Sequence, residues 1–471
     1  MNGQPQAGDA ESPIRLEGFA GQDLYQRREK IFTRYVGGFF QRLRFFSGWP
    51  LLGGYFLLPW VTWDNRQAVL FDLPARQFDI FTLTFWPQDL WLLGWLLIIA
   101  AFALFTFTTL VGRIWCGYTC PQTVWTAIYM WVEQITEGER HQRVRLDQAP
   151  WTWEKIRKRG LKHILWLGVA FMTGLTFVGY FTPIRDLALG ILQADVAGWA
   201  AFWIAFFTAA TYGNAGFMRE QVCIYMCPYA RFQSAMFDKD TLIVSYDAAR
   251  GEPRGARKRG ADPASLGDCI DCQLCVQVCP TGIDIRNGLQ YQCIGCAHCI
   301  DACDQVMDKM GYAPGLVRYT TEHAMSGGTT HWLRGRTIGY GAALLVMLGA
   351  FSYALLGLSS TAVSVLRERG ELYQRVAGER IANQYRLRVL NKTQQPLALN
   401  LTLLAPIPVS SSIAAPILLA PRELLDLPLT LTTAADALPS ENIEVNVQLC
   451  TPDRQRCHDV ATRFLGPGPT P

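Results

Sequence analysis

Charge is scarce in this chain, and histidine scarcer still. Asp, Glu, Lys and Arg make up 17% of 471 residues, and there are 6 histidines. A net charge of +4 leaves no basic footprint for nucleic acid. No motif pairs a nucleophile with a base, so acid–base and nucleophilic catalysis have no support. The opening residues lack both an apolar h-region and a small-residue cleavage site, so no signal peptide is expected. The first 20 residues are polar and rich in small side chains, and are expected to be mobile. Cysteine, by contrast, is plentiful at 14 residues.

Eight of these cysteines form one run. They read Cys269-x2-Cys272-x2-Cys275-x3-Cys279-Pro280 and Cys293-x2-Cys296-x2-Cys299-x3-Cys303. This is the spacing of bacterial ferredoxins with two 4Fe-4S clusters, in which the fourth cysteine of each run ligates the other cluster. One cluster is therefore assigned to Cys269, Cys272, Cys275 and Cys303, and the second to Cys279, Cys293, Cys296 and Cys299. A zinc ribbon needs only four such ligands and seldom has three closely spaced in a row. His298 lies inside the second run. It reads as a surface histidine, with a hydrogen bond toward a cluster sulfur as the functional alternative. Met307 and Met310 read as core packing rather than copper ligands. The basic stretch Arg254, Arg257, Lys258 and Arg259 suits either an acidic electron donor or a flexible linker.

Half of the residues are hydrophobic, and mean hydropathy is positive. The apolar residues fall in blocks at 90–112, 164–181, 197–213 and 337–358, long enough to approach or exceed the ~20 residues that span a bilayer. A weaker block, 45–61, is interrupted by Pro50 and Pro59 and edged by Trp49, Trp60 and Trp63. Lys and Arg are dense before residue 45 and in 113–163 and 214–336. They thin to Arg66 and Arg76 in 62–89 and to Arg185 in 182–196. That alternation predicts about five spans with a cytoplasmic N-terminus and a cytoplasmic cluster domain. Residues beyond 358 are then exported, periplasmic in a Gram-negative cell. The loops beside the bilayer favour anionic lipid. His141, His163, His323 and His331 read as solvated or lipid-facing loop residues.

A second pair of motifs is Cys116-Gly-Tyr-Thr-Cys120-Pro121 and Cys223-Ile-Tyr-Met-Cys227-Pro228. Each is followed by an aromatic residue, Trp125 or Phe232, which suggests a repeated helical hairpin. On one helix, i and i+4 would put each thiol pair on one face, with the proline disturbing the helix beside it. Four thiolates brought together would favour soft metals, notably Cu(I), or another iron centre. Packing is the plain alternative, because free cysteine is commonly buried.

The C-terminal region alternates with period 2 at Tyr385, Leu387 and Val389, at Leu397 to Leu403, and at Ile443 to Leu449, which predicts an immunoglobulin-like sandwich. Cys450 and Cys457 are expected to close a hairpin as a disulfide, with His458 leaving a metal-binding alternative open. Residues 359–383, with Arg367, Glu368, Arg369 and Glu371, are expected to be a linking helix at the membrane surface.

The order of apolar blocks, the two Cys-x-x-x-Cys-Pro motifs, the stretches Thr241–Asp247 (TLIVSYD) and Arg250–Gly255 (RGEPRG), and the eight-cysteine module together resemble the FixG/CcoG family over nearly the whole chain. The resemblance implies a bacterial inner-membrane accessory protein of cbb3-type cytochrome c oxidase that reduces Cu(II) to Cu(I). Implied partners are that oxidase or its copper chaperones and transporters, with an electron donor the sequence does not name. Cys116, Cys120, Cys223 and Cys227 are then the candidates for handling copper as substrate. Two other functions stay open: a general electron relay to a periplasmic reductase, and a scaffold whose clusters are structural. The expected organisation is a cytoplasmic segment (1–44), four spans with the thiol motifs (45–237), a two-cluster ferredoxin domain (238–335), a fifth span (336–358), a linker (359–383) and an immunoglobulin-like domain (384–471).

Overall fold

The computed structural model describes residues 30–259, 266–413 and 416–467. The N-terminal 20 residues expected to be mobile lie outside them. The chain divides into two compact units, Met1–Phe351 and Ser352–Pro471.

Three helices of the described residues are long and apolar enough to cross a bilayer: Pro87–Val111 (25 residues), Trp153–Val178 (26) and Gly335–Leu356 (22). Their apolar side chains are not a protein core. Leu97 is 62% exposed and Leu345 and Val346 are each 71% exposed, as expected of a surface that faces lipid. This is a membrane protein. The other two expected spans are also helical but shorter, Phe39–Leu57 at 19 residues and Gly198–Thr211 at 14. Phe39–Leu57 carries Arg44 and Pro50 inside it. Gly198–Thr211 runs on into a π-helical segment, Tyr212–Met218. It lies close against Trp153–Val178 at Gly174, where a Cβ would come within 2.8 Å of the Ile204 carbonyl oxygen. Small residues let membrane helices approach in this way.

A buried ionic cluster ties the helices together beside the Trp166 ring. Glu133 accepts from Arg143 at 3.2 Å and from Arg219 at 2.7 Å, and Lys162 pairs with Glu137 at 2.7 Å. Their side chains are nearly all buried, so each charge depends on its partners. His163, expected in a loop, is instead within the Trp153–Val178 helix, where Nδ1 pairs with the Tyr212 hydroxyl at 2.9 Å.

The cysteine-rich region folds around a two-stranded antiparallel sheet, Ile243–Tyr246 with Val317–Thr320. Between the strands lie two loops and the helices Leu274–Gln277 and His298–Met310. Val244, Ile285, Ile300, Met307 and Leu316 form the core with Cys269 and Cys275. Met307 is 1% exposed and Met310 packs against the same cluster. The module docks on the first helix through Asp301, whose carboxylate accepts from the backbone N–H of Phe40 and Gln41 at 3.2 and 2.8 Å. That satisfies donors a helix start leaves unpaired.

The second unit is a sandwich of two antiparallel sheets. One holds strands Thr361–Arg367, Arg380–Asn391 and Leu424–Ala434. The other holds Leu397–Leu404, Ile417–Leu419, Asn442–Cys450 and Cys457–Leu465. Leu387, Leu429, Val445, Val447 and Phe464 meet in the core at 0% exposure. The helix expected within 359–383 is not there. Thr361–Arg367 is a strand whose Val363 and Val365 pack on that core, because the run TAVSV alternates with period 2 ahead of the charged residues. Cys450 stands opposite Cys457 in the last hairpin, and the two form a disulfide.

Candidate metal centre

The eight-cysteine run separates into two sets. One cavity is lined by Cys269, Cys272, Cys275 and Cys303, and another by Cys279, Cys293, Cys296 and Cys299, with Cys275 also on its wall. The fourth cysteine of each run thus lies with the opposite set, as the spacing predicts.

The backbone explains how each loop turns. In the first, Asp271 and Gln273 flank Cys272 with φ of 52° and 56°; in the second, Gly295 and Ala297 flank Cys296 with φ of 66° and 60°. Two left-handed residues around the middle cysteine wrap the loop tightly, although only one of the four is the glycine that such a conformation favours. Burial, followed by the nearby thiols, pushes Cys303 up to about 12. Burial also pushes Cys296 up to about 12. Four thiolates in such a space need a cation to hold them, and eight cysteines at the ferredoxin spacing, divided into two sets of four, suit clustered iron. The residues therefore fit two 4Fe-4S clusters.

The thiol motifs are built differently from the expectation. Cys116 lies in a short helix, Ile114–Tyr118, but Cys120 is outside it, extended at the start of the next helix, Pro121–Glu137. Cys227 stands likewise before Pro228–Met236. The pairs therefore do not share one helix face. Proline disfavours helical geometry in the residue before it and suits the first helical position, so it starts the following helix rather than kinking one. The two motifs close alike, the Cys120 N–H on the Trp115 carbonyl and the Cys227 N–H on the Val222 carbonyl, both at 2.9 Å. This supports the repeat. The trailing aromatics do not follow it: Trp125 donates to the Thr173 hydroxyl at 2.9 Å, whereas Phe232 is 64% exposed.

The two motifs converge. Burial pushes the Cys116 thiol up to about 12, and Cys120, Cys223 and Cys227 lie near enough to add to the rise while Arg113 opposes it. Cys223 is pushed up to about 12 by burial and by Cys120 and Cys227. The Cys116 thiol is 3.4 Å from the side-chain oxygen of Gln233, a fully buried residue.

The thiols also adjoin the second cluster loop. A Cβ on Gly117 would fall 2.9 Å from both the Cys296 Cα and the Gly295 oxygen. Arg113 donates to the carbonyls of Tyr291, Cys293 (3.1 Å) and Ala230 (2.8 Å). It clamps the cluster loop to the helix that follows the second thiol motif. The Tyr319 hydroxyl donates to the Gly295 oxygen at 2.6 Å and meets Tyr118 at 3.3 Å. Of Arg113, Gly117, Gln233 and Tyr319, only Gly117, inside the first thiol motif, carried a signal in the sequence.

His298 is not a surface residue. It lines the second cavity, and its Nε2 lies 3.3 Å from Arg44. A guanidinium only donates, so Nε2 accepts and the proton stays on Nδ1. Burial and then the Arg44 charge push it down to about 3. The basic stretch is partly committed: Arg257 Nε donates to the Tyr312 hydroxyl at 2.9 Å, and Arg254 lies 3.7 Å from Glu252. His323 and His331, read as solvated, come together on Asp240.

Comparison with known proteins agrees with this architecture. Residues 218–322 match a 4Fe-4S dicluster domain, 93–135 a 4Fe-4S binding domain, and 351–467 the Ig-like fold at the C-terminus of FixG. The nitrogen fixation protein FixG of Rhizobium meliloti is 39% identical over 419 residues, covering 81% of this chain and 80% of that protein. The chain belongs to the FixG family. Protein RdxB of Cereibacter sphaeroides is 43% identical over 385 residues, covering 78% of this chain and 80% of its own. The crystal structure of a FixG-related protein from Vibrio parahaemolyticus aligns with 23% of this chain and 99% of its own, at 32% identity and a TM-score of 0.22. As a FixG-family iron–sulfur protein of the membrane, this chain has redox chemistry as its business.

Proposed function

We propose that this protein reduces Cu(II) to Cu(I) at the thiols of Cys116, Cys120, Cys223 and Cys227, for copper delivery during assembly of a cbb3-type oxidase. The observation that carries the reading is the close approach of Gly117 to Cys296, which sets a group of four neighbouring thiols beside a cluster-binding loop. Clusters held by Cys269, Cys272, Cys275 and Cys303, and by Cys279, Cys293, Cys296 and Cys299, supply one-electron storage and transfer. The Cys116 and Cys223 thiols, protonated at neutral pH, release their protons as copper binds. Soft sulfur favours Cu(I) over Cu(II) and so makes reduction of a bound cupric ion easier. The thiols themselves can give the electrons: two Cu(II) ions take one electron each, two thiols become one disulfide, and two protons leave. Two electrons and two protons then restore the thiols.

In this reading the N-terminus and cluster domain face the cytoplasm. The immunoglobulin-like domain lies outside, in contact with the oxidase or a copper carrier. Changing Cys116 and Cys120 together to alanine tests it. Cupric reductase activity is expected to fall at least tenfold with both clusters retained, since the pair supplies half of the soft ligands. Unchanged activity removes these thiols from the mechanism.

A further inference from the structure

Thiols suit the cuprous product, but a cupric or other divalent ion is better held by imidazole and carboxylate. The structure gathers such a set apart from the cysteines. Asp240, His323 and His331 come from three separate segments: the turn after the Pro228–Met236 helix, the short helix Glu322–Met325, and the loop before the last membrane helix. Their ligand atoms all lie within 4.8 Å of one another. Both rings turn Nδ1 toward the same carboxylate oxygen, His323 at 2.8 Å and His331 at 3.6 Å. The rings stand edge to face with centroids 5.7 Å apart.

The surroundings hold these groups in place. Asp240 is 7% exposed, and its Oδ1 accepts from the His331 backbone N–H at 3.0 Å. The turn that carries it, 238–241, is pinned by the Thr241 hydroxyl, which donates to the Thr109 carbonyl at the end of a membrane helix. Arg334 donates to the same carbonyl at 2.7 Å and pairs with Asp238. His323 is fixed by its N–H on the Lys239 carbonyl at 3.1 Å, and its loop closes through Thr321 and Thr330 at 2.8 Å. A simple ion pair with Asp240 needs one imidazole. The second ring, 63% exposed at its side chain, has no such reason to turn its Nδ1 inward.

We propose that Asp240, His323 and His331 form a binding site for a borderline divalent transition-metal ion of the Cu(II) class. Metal–nitrogen and metal–oxygen bonds of ~2.0–2.2 Å place neighbouring ligand atoms about 3–4 Å apart, so small side-chain shifts close the set around an ion. Solvent completes the coordination on the exposed side of His331. That the ion is the copper destined for reduction rests on the function proposed above; the site itself does not.

The test uses the full-length protein with Cys116, Cys120, Cys223 and Cys227 changed to alanine and both clusters oxidised, so that added copper stays cupric. One equivalent of Cu(II) sulfate is expected to give an axial EPR signal with superhyperfine splitting from two imidazole nitrogens. His331→Ala should leave iron content unchanged, remove one nitrogen and weaken binding at least ~10-fold. His323→Ala with His331→Ala should abolish the signal, and His141→Ala should leave it intact. A two-nitrogen signal that survives the double variant overturns the proposal. Cupric reduction by the protein with its thiols intact is measured separately. If Cu(II) binds here and is never reduced, the site stands and the reductase reading falls. If reduction is normal while neither histidine affects Cu(II) binding, the site falls and the reductase reading stands.

Discussion

The two cysteine loops share a spacing and a backbone turn but live in different surroundings. The first exposes Cys272 to solvent and is braced by ions: Arg286 holds Asp284 at 2.7 Å and also pairs with Asp271, which is itself well exposed. The second buries Cys296 to 7% exposure between Gly117, Arg113 and the Arg44–His298 pair. One loop presents Cys272 to solvent, and the other faces the thiols. Identical ligand patterns thus differ in their neighbours, and the neighbours give the module a direction.

The largest expected effect comes from breaking the inner contact. Gly117→Val would drive a side chain into the Cys296 backbone, which cannot move aside as a flexible side chain would. Iron should fall from about eight to about four atoms per chain as the second cluster is lost, while the first keeps its EPR signature. Full iron occupancy would show that Gly117 does not seat this loop.

The next comparison is kinetic. Iron extraction by a strong ferrous chelator should be biphasic, with the exposed Cys272 cluster leaving several-fold faster than the buried one. A single phase would mean that exposure does not govern lability. Arg286→Ala should then accelerate only the fast phase. Its charged hydrogen bonds are worth ~1.5–3 kcal/mol at most when buried, and less here, where Asp271 is well exposed.

The smallest effect is acid sensitivity. Burial works to raise the Asp284 carboxyl, but the hydrogen bonds and charge of Arg286 outweigh it and hold the group below its usual 3.8. The unfolded chain therefore binds the proton more readily. The stabilisation is full well above 3.8 and is lost as pH falls through the lower folded value. Iron release below about pH 4 should steepen for the fast phase, and Asp284→Asn should flatten that dependence.

Much of this was legible in the sequence because cysteine spacing and apolar length are local signals. The crossing of Cys279 and Cys303 between sets follows from spacing alone, and strands such as Ile443–Leu449 from strict alternation. What was hidden depends on distant segments meeting. His323 and His331 looked like loop histidines because Asp240 is more than 80 residues away. His298 looked exposed because Arg44 comes from the far end of the chain. Thr361–Arg367 was read as helix because the charges after it masked its short alternation. The proline in each thiol motif was read as a kink, although its position begins a helix.

Asp301 caps the start of the first helix across 261 residues of chain. Ribosomal synthesis delivers that helix long before its cap exists. Its opening turn is therefore finished only once the iron-bearing portion has been made and has closed upon it. Until Asp301 is folded into place, the N–H groups of Phe40 and Gln41 lack the carboxylate that receives them.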